Sequence, residues 1–90
     1  MATTYRILAW KEIPSQVQAT DETRVRANRV MPDWFAQEID RVAMREGLHG
    51  TDDYLEHFAW SKPVARAGTP DEVADAVVAE LLATWGRSPG

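Results

Sequence analysis

The chain has 90 residues, a formal net charge of −4 and no cysteine, with 44% hydrophobic and 27% charged residues. This length has room for one domain with one small hydrophobic core. The lack of cysteine excludes disulfides, thiolate catalysis and thiolate metal sites, and it favours a reducing, cytoplasmic location. No apolar run approaches the roughly 20 residues that span a bilayer, and the first residues do not resemble a signal peptide, so we expect no membrane association.

The charge is unevenly distributed along the chain. Residues 1–31 carry five basic and three acidic side chains, whereas residues 32–90 carry five basic and eleven acidic ones. This asymmetry predicts a bipolar surface, with a basic sheet face and acidic helices. An overall acidic chain neutralises phosphates poorly, so we expect no DNA binding.

The first third of the chain has the pattern of strands. Residues 4–11 are rich in aromatic and branched side chains, which predicts a central strand buried on both faces. Pro14 lacks an amide hydrogen and is expected to break the pattern after this strand. Residues 15–19 and 24–30 alternate between apolar and polar, and a polar turn without glycine separates them, which predicts a hairpin with one face toward water.

The remainder has the pattern of helices. Pro32 or Asp33 begins a helix that Gly47 and Leu48 end in a Schellman motif. Thr51 is the predicted N-cap of a short second helix, and residues 60–67 form either a fourth, edge strand or an extended loop. Thr69 opens a capping box for a last helix that ends near residues 85–86.

Catalytic and metal sites have little support in this sequence. His49, Asp53 and His57 are spaced by four, but the predicted start of the second helix at Thr51 leaves His49 outside it, and two histidines make a thin metal site. Asp52, Asp53 and Glu56 are explained by helix capping rather than by acid–base chemistry. No serine has a nucleophile elbow and no glycine pair forms a phosphate loop. We expect no enzyme activity, no metal and no cofactor.

Basic residues of the predicted sheet are the best candidates for electrostatic docking. Arg24 and Arg26, with Arg29 and Arg6, can form a basic stripe that would bind an anionic metabolite, an acidic protein or RNA bases stacked beside Trp10. A solvated polar face explains the same residues.

Four tryptophans are many for a chain of this length. Trp10 is assigned to the core. Trp34, Trp60 and Trp85 lie off the predicted apolar stripes or at the ends of elements, where exposed indoles favour binding surfaces. Large residues that close a small core would give the same pattern.

The chain resembles the bacterial virulence factor family, the small domain type of conserved virulence factor C. The resemblance rests on YRILAWKEIPSQV at residues 5–17, MREGL at 44–48, GTDDYLE at 50–56 and GTPDEV at 68–73. It carries no catalytic residues. It implies a companion of one-carbon enzymes that are similar to methylenetetrahydrofolate reductase.

We predict one α+β domain over residues 1–86 and a flexible tail at residues 87–90. The domain has a three- or four-stranded, mainly antiparallel sheet with two longer helices packed on one face and a short helix between them. The predicted function is that of a non-enzymatic accessory or adaptor protein on a larger cytosolic enzyme. The alternatives are a module for an anionic metabolite such as a folate, a minimal metal enzyme or hydrolase, and an RNA-binding protein; a homo-oligomer is also compatible with the sequence.

Overall fold

A computed structural model describes residues 2–48, 50 and 52–86. This part of the chain has the predicted α+β architecture, with a short helix between two longer ones. The elements are β1 (Ala2–Trp10), β2 (Ile13–Asp21), β3 (Arg26–Val30), α1 (Asp33–Arg45), α2 (Asp52–Glu56), β4 (Phe58–Trp60), β5 (Val64–Ala67) and α3 (Pro70–Thr84). The predicted N-cap at Thr51 and the predicted tail at residues 87–90 lie outside the described residues.

The sheet is antiparallel at each of its strand pairs, in the order β3-β2-β1-β4, with β5 also paired to β1. β4 and β5 together occupy the place of the predicted fourth strand, so the described sheet has five strands rather than three or four. Ser61 divides this edge. The Ile7 amide donates to Ser61 Oγ at 2.9 Å, and the Ser61 amide donates to the Ile7 carbonyl at 2.8 Å. Pro63, which cannot donate to a ladder, follows in the gap.

The prediction that Pro14 interrupts the strands was wrong. β2 begins at Ile13 and Pro14 lies opposite Ala9, where the register with β1 shifts between Leu8 and Ala9. A proline is tolerated at such an irregularity because the ladder is already disrupted there.

Two apolar clusters join the helices to the sheet. α3 contributes Val73, Ala74 and Val77 to a cluster with three strand residues, Val17, Ala19 and Ala27. The other cluster lies toward the β1–β2 turn, where α1 contributes Phe35, Ile39 and Ala43 around Trp10 and Ile13. Trp10 is fully buried, as the sequence predicts, and its indole N–H donates to the Tyr54 carbonyl at 2.7 Å.

The ends of the two longer helices follow the sequence signals. Thr69 Oγ1 accepts from the Glu72 amide at 3.2 Å, and Glu72 Oε1 accepts from the Thr69 amide at 3.1 Å, which is the predicted capping box. After α1, Gly47 takes a φ of 73°, and the Leu48 amide donates to the Ala43 carbonyl at 2.8 Å. This is the Schellman geometry, in which glycine adopts the left-handed conformation without steric cost.

Candidate functional site

Part of one face of the sheet carries side chains that belong to neither apolar cluster; toward the β1–β2 turn the same side continues into Trp10, which lies in the cluster with α1. Directly opposed residues of an antiparallel pair point to the same side, so the register defines this set without ambiguity. We call this part the open face; its described members are Ala2, Thr4, Arg6, Leu8, Gln16, Gln18, Thr20, Arg26, Asn28, Val30, Trp60, Ala65 and Ala67. The opposite face is the one that packs against α3.

A row of three apolar side chains and one polar side chain, Gln16, crosses the open face; we call Val30, Leu8 and Trp60 the apolar row. In the pairing, Val30 lies opposite Gln16, Gln16 opposite Leu8, and Leu8 opposite Trp60, so the row crosses the sheet from one edge to the other. Val30 is 79% exposed and Trp60 is 39% exposed. A sheet face made only for water would carry polar residues at these positions.

Arg6, on the central strand β1, lies over the indole of Trp60 on the edge strand β4. Its guanidinium carbon is 4.8 Å from the ring centroid, and Nη2 donates to Gln18 Oε1 at 2.9 Å. A guanidinium over the face of a tryptophan is attracted by the ring quadrupole. The stack and the hydrogen bond together hold a charged group in a fixed place on the open face.

The predicted basic stripe is divided between two environments. Arg26 lies on the open face and Arg24 lies in the exposed β2–β3 connection, and within the described chain neither side chain has a carboxylate partner. Arg29 lies opposite Val17 on the other face, where Nη2 donates to Asp71 and Nε to Asp75, each at 2.8 Å. These carboxylates raise the pKa of Arg29.

The β2–β3 connection that carries Arg24 closes without glycine. Asp21 Oδ1 accepts from the Thr23 amide at 2.8 Å and from the Val25 amide at 3.0 Å, and Arg24 takes a φ of 68°. The hydrogen bond from the Thr23 hydroxyl is the main cause that lowers the pKa of Asp21, and the two amides act in the same direction. The aspartate therefore stabilises a turn that glycine allows in tighter hairpins.

Carboxylates of α3 neutralise the arginines on their own side of the sheet. Besides Arg29, Arg66 donates to both oxygens of Glu80, at 2.9 and 2.6 Å. The hydrogen bonds lower the pKa of Glu80 and raise that of Arg66. Among the described residues, ion pairing of the sheet arginines is thus concentrated on the helix side, whereas the open face keeps Arg6 and Arg26 without carboxylates.

The candidate tryptophans do not lie together. Trp34 and Trp85 are half-buried and contact each other and Phe35, with ring centroids 5.0 to 6.1 Å apart. They close the end of the core between α1 and α3. Of the three tryptophans predicted for binding, Trp60 is the one on the open face.

The described part of the fold forms no cluster of side chains that would support a metal site or an acid–base site. Asp52, Asp53 and Glu56 are exposed on α2, and the half-buried His57 packs its ring edge-on to Trp10 at 5.6 Å. His49 lies outside the described residues. Across residues 2–48, 50 and 52–86, no three His, Cys, Asp or Glu side chains are placed to hold a metal ion.

A cleft of 370 Å³ lies beside the β1–β2 turn, lined by Trp10, Lys11, Arg45 and Trp85 among others. Lys11 Nζ is engaged there by Glu46 at 2.8 Å, and this ion pair lowers the pKa of Glu46. The lining mixes charges of both signs with apolar surface, so it favours no single ligand chemistry. Among the described helices, none is long and apolar enough to cross a membrane.

The prediction of β1 as a strand buried on both faces was wrong in one respect. β1 is central, but Thr4, Arg6 and Leu8 point to the open face. The apolar run hid the alternation, because Leu8 reads as a core residue when the pairing is unknown. Arg6 was the available signal, since a charged side chain in a fully buried strand needs a partner.

Comparison with protein families gives one result. The family model described as "Virulence factor" matches residues 8–88, which is most of the chain and includes all the described helices and most of the sheet. Searches of the curated proteins and of the solved structures gave no significant match. The resemblance seen in the sequence is confirmed, and the chain belongs to the virulence factor family.

Proposed function

We propose that this chain is a small non-enzymatic accessory protein that docks on a larger protein through the open face. The observation that carries the proposal is the Arg6–Trp60 stack, which lies at the end of an apolar row that joins neither apolar cluster. Tryptophan and arginine are the residue types that contribute most to binding energy in protein interfaces.

The exposure of the row supports a protein partner. Val30 and Trp60 keep 79% and 39% of their surface in water, at positions where polar side chains would serve a free domain better. Apolar surface that is rimmed by polar residues marks interaction sites. Asn28, Gln18 and Arg26 provide such a rim beside the row.

The family resemblance suggests the class of partner. It implies a cytosolic one-carbon enzyme similar to methylenetetrahydrofolate reductase, and we propose such an enzyme as the first candidate. The accessory protein would contribute surface rather than chemistry.

The test is affinity capture from the native lysate with matched variants. The wild-type chain, Trp60→Ser and Arg26→Glu are compared with Leu55→Ser on α2 and Arg45→Glu on α1, both of which change exposed side chains that are not members of the open face. We expect one stoichiometric partner with the wild type and both controls, and its loss with both open-face variants. Retention by the open-face variants, or no partner at all, contradicts the proposal.

A second candidate function is binding of an anionic metabolite such as a folate. Arg24 and Arg26, without carboxylates in the described chain, favour it. Arg6 already covers a face of the exposed indole, so a stacked ring would have to displace it or use the other face. Titration with millimolar anionic metabolites tests this function, because a bound ring beside Trp60 quenches its fluorescence, and an unchanged spectrum refutes it.

A further inference from the structure

We infer, on the basis of the proposed docking function, that the partner is an acidic protein surface that places a carboxylate on Arg6 and an apolar side chain beside it on Leu8 and Trp60. Arg6 is the residue that selects this partner. Three features point to such a partner: the state of the Arg6 guanidinium, the neighbouring apolar row and the distribution of charge between the two sides of the sheet.

The guanidinium of Arg6 is oriented but not neutralised. Its central carbon lies over the indole of Trp60, 4.8 Å from the ring centroid, and Nη2 donates to the neutral amide oxygen of Gln18 at 2.9 Å. A guanidinium has five N–H donors in a rigid fork that matches a carboxylate. Within the described chain no carboxylate forms an ion pair with it.

The other half-buried arginines of the sheet differ in this respect. Arg29 contacts Asp71 and Asp75, and Arg66 contacts Glu80, all from α3. The same chain therefore satisfies guanidinium groups with carboxylates on its helix side and leaves Arg6 and Arg26 open on the other. Complementary charge on a partner would complete the pattern.

A preoriented arginine is well suited to this role. Binding a carboxylate to a flexible arginine costs side-chain entropy, and the stack on Trp60 has already removed part of that freedom. The ion pair would form next to Leu8 and Trp60, so the apolar contact shields it from water and strengthens it. This combination makes Arg6 and Trp60 one energetic unit.

A nucleic acid fits the open face less well than a protein. Arg6 and Arg26 are its two cationic residues among those described, whereas a phosphate backbone needs several neutralising contacts along its path. The apolar row would also stay without a complement. A second copy of the chain fits less well too, because in a two-fold contact the open face would meet itself, and its described members include Arg6 and Arg26 but no carboxylate.

Arg6→Lys allows the contact to be trapped chemically. This variant places a primary amine where the guanidinium lies, and a water-soluble carbodiimide joins an amine to a carboxylate in direct contact, with loss of one water. The probe is the native lysate, treated with carbodiimide after addition of the tagged chain. Arg45→Lys, an exposed position on α1, is the matched control, and the wild type reports on the natural Lys11 and Lys62.

Mass spectrometry of the crosslinked peptides identifies both ends of each bond. For Arg6→Lys we expect a crosslink from position 6 to an aspartate or glutamate of one other protein, flanked by apolar residues. For Arg45→Lys we expect no corresponding crosslink from position 45. In a binding titration with that protein, Arg6→Gln should weaken the affinity at least tenfold, and Arg45→Gln should leave it unchanged.

The outcomes separate this inference from the proposed function. A partner that the wild-type chain retains through Trp60, but that gives no crosslink at position 6 of Arg6→Lys and binds Arg6→Gln normally, overturns the inference and leaves the docking function intact. A crosslink from position 6 to any aspartate or glutamate of a second copy, or retention of RNA instead of protein, also overturns it. Absence of any retained protein overturns the docking function and this inference with it.

Discussion

Replacing Trp60 by serine should cost far less stability than replacing Trp10 by phenylalanine, although serine removes the whole indole and phenylalanine keeps an aromatic ring. Trp10 is fully buried and Trp60 is 39% exposed. In Trp10→Phe the Tyr54 carbonyl loses a hydrogen bond of 2.7 Å, worth about 1–2 kcal/mol, and the smaller ring leaves a gap in the core that adds about 1–2 kcal/mol. The expected total is about 2–4 kcal/mol.

Trp60→Ser removes mainly surface contacts. The stack with Arg6 is worth about 0.5–1 kcal/mol at an exposed site, and the cross-strand contact with Leu8 adds a few tenths. The expected total is therefore about 1 kcal/mol, small beside the roughly 5–15 kcal/mol that stabilise a typical domain. Urea denaturation of both variants, followed by far-ultraviolet circular dichroism, gives the two free energies of unfolding.

The comparison decides whether Trp60 is needed by the fold. If Trp60→Ser lowers the free energy of unfolding as much as Trp10→Phe does, then Trp60 is a core residue, and the open face is needed for folding rather than available for binding. Leu55→Ser, an exposed apolar position on α2, is the control that shows the cost of an ordinary surface substitution.

Three further predictions concern the helix ends and the ion pairs. Thr69→Ala removes half of the capping box and should lower the free energy of unfolding by about 1 kcal/mol, whereas Thr69→Ser should stay near the wild type; equal values would refute the role of the cap. Gly47→Ala should lower the free energy of unfolding by about 1 kcal/mol. The φ of 73° is the only cause, because an added Cβ meets no atom within 4 Å. Gly47→Asn should cost less, and no loss of stability in either variant would contradict the expected backbone strain. Cationic partners lower the pKa of Glu46 and Glu80 from the ordinary 4.5. The stability that these two ion pairs contribute is therefore fully present above that pH, and it is lost as the pH falls through the lowered pKa values of the folded state. Thermal denaturation should show stability decreasing below about pH 4.5, and Glu80→Gln should flatten that decrease; an unchanged pH profile in the variant would refute the assignment.

Local chemistry made the helix ends predictable. Thr69 with Glu72, and Gly47 with Leu48, satisfy backbone groups within a few residues of themselves, so the sequence contains the whole interaction. The same holds for the alternation of β2 and β3, which predicts one face toward water.

Sheet pairing was the information that the sequence lacked. Leu8 and Arg6 acquire their roles only from the register with Trp60 and Gln18, which lie 52 and 12 residues away. Arg29 likewise appeared equivalent to Arg26 in the sequence, but strand parity turns it toward α3 and its carboxylates. The local sequence pattern cannot show which arginines have carboxylate partners when those partners are distant in the chain.

The open face and the helix side divide the charges of this chain in a way that favours one orientation of docking. Arginines without carboxylates on one side would attract an acidic surface, and α3 on the other, which has four acidic residues and no basic one, would repel it. We therefore expect association with the partner to slow as salt concentration rises, since exposed charges are screened.

The dissociation constant of the purified partner for Trp60→Ser, measured beside the wild type and Leu55→Ser, tests docking through the open face most directly. We predict that Trp60→Ser binds at least tenfold more weakly while Leu55→Ser binds like the wild type, with all three chains folded. Equal affinity of Trp60→Ser and the wild type would contradict the account.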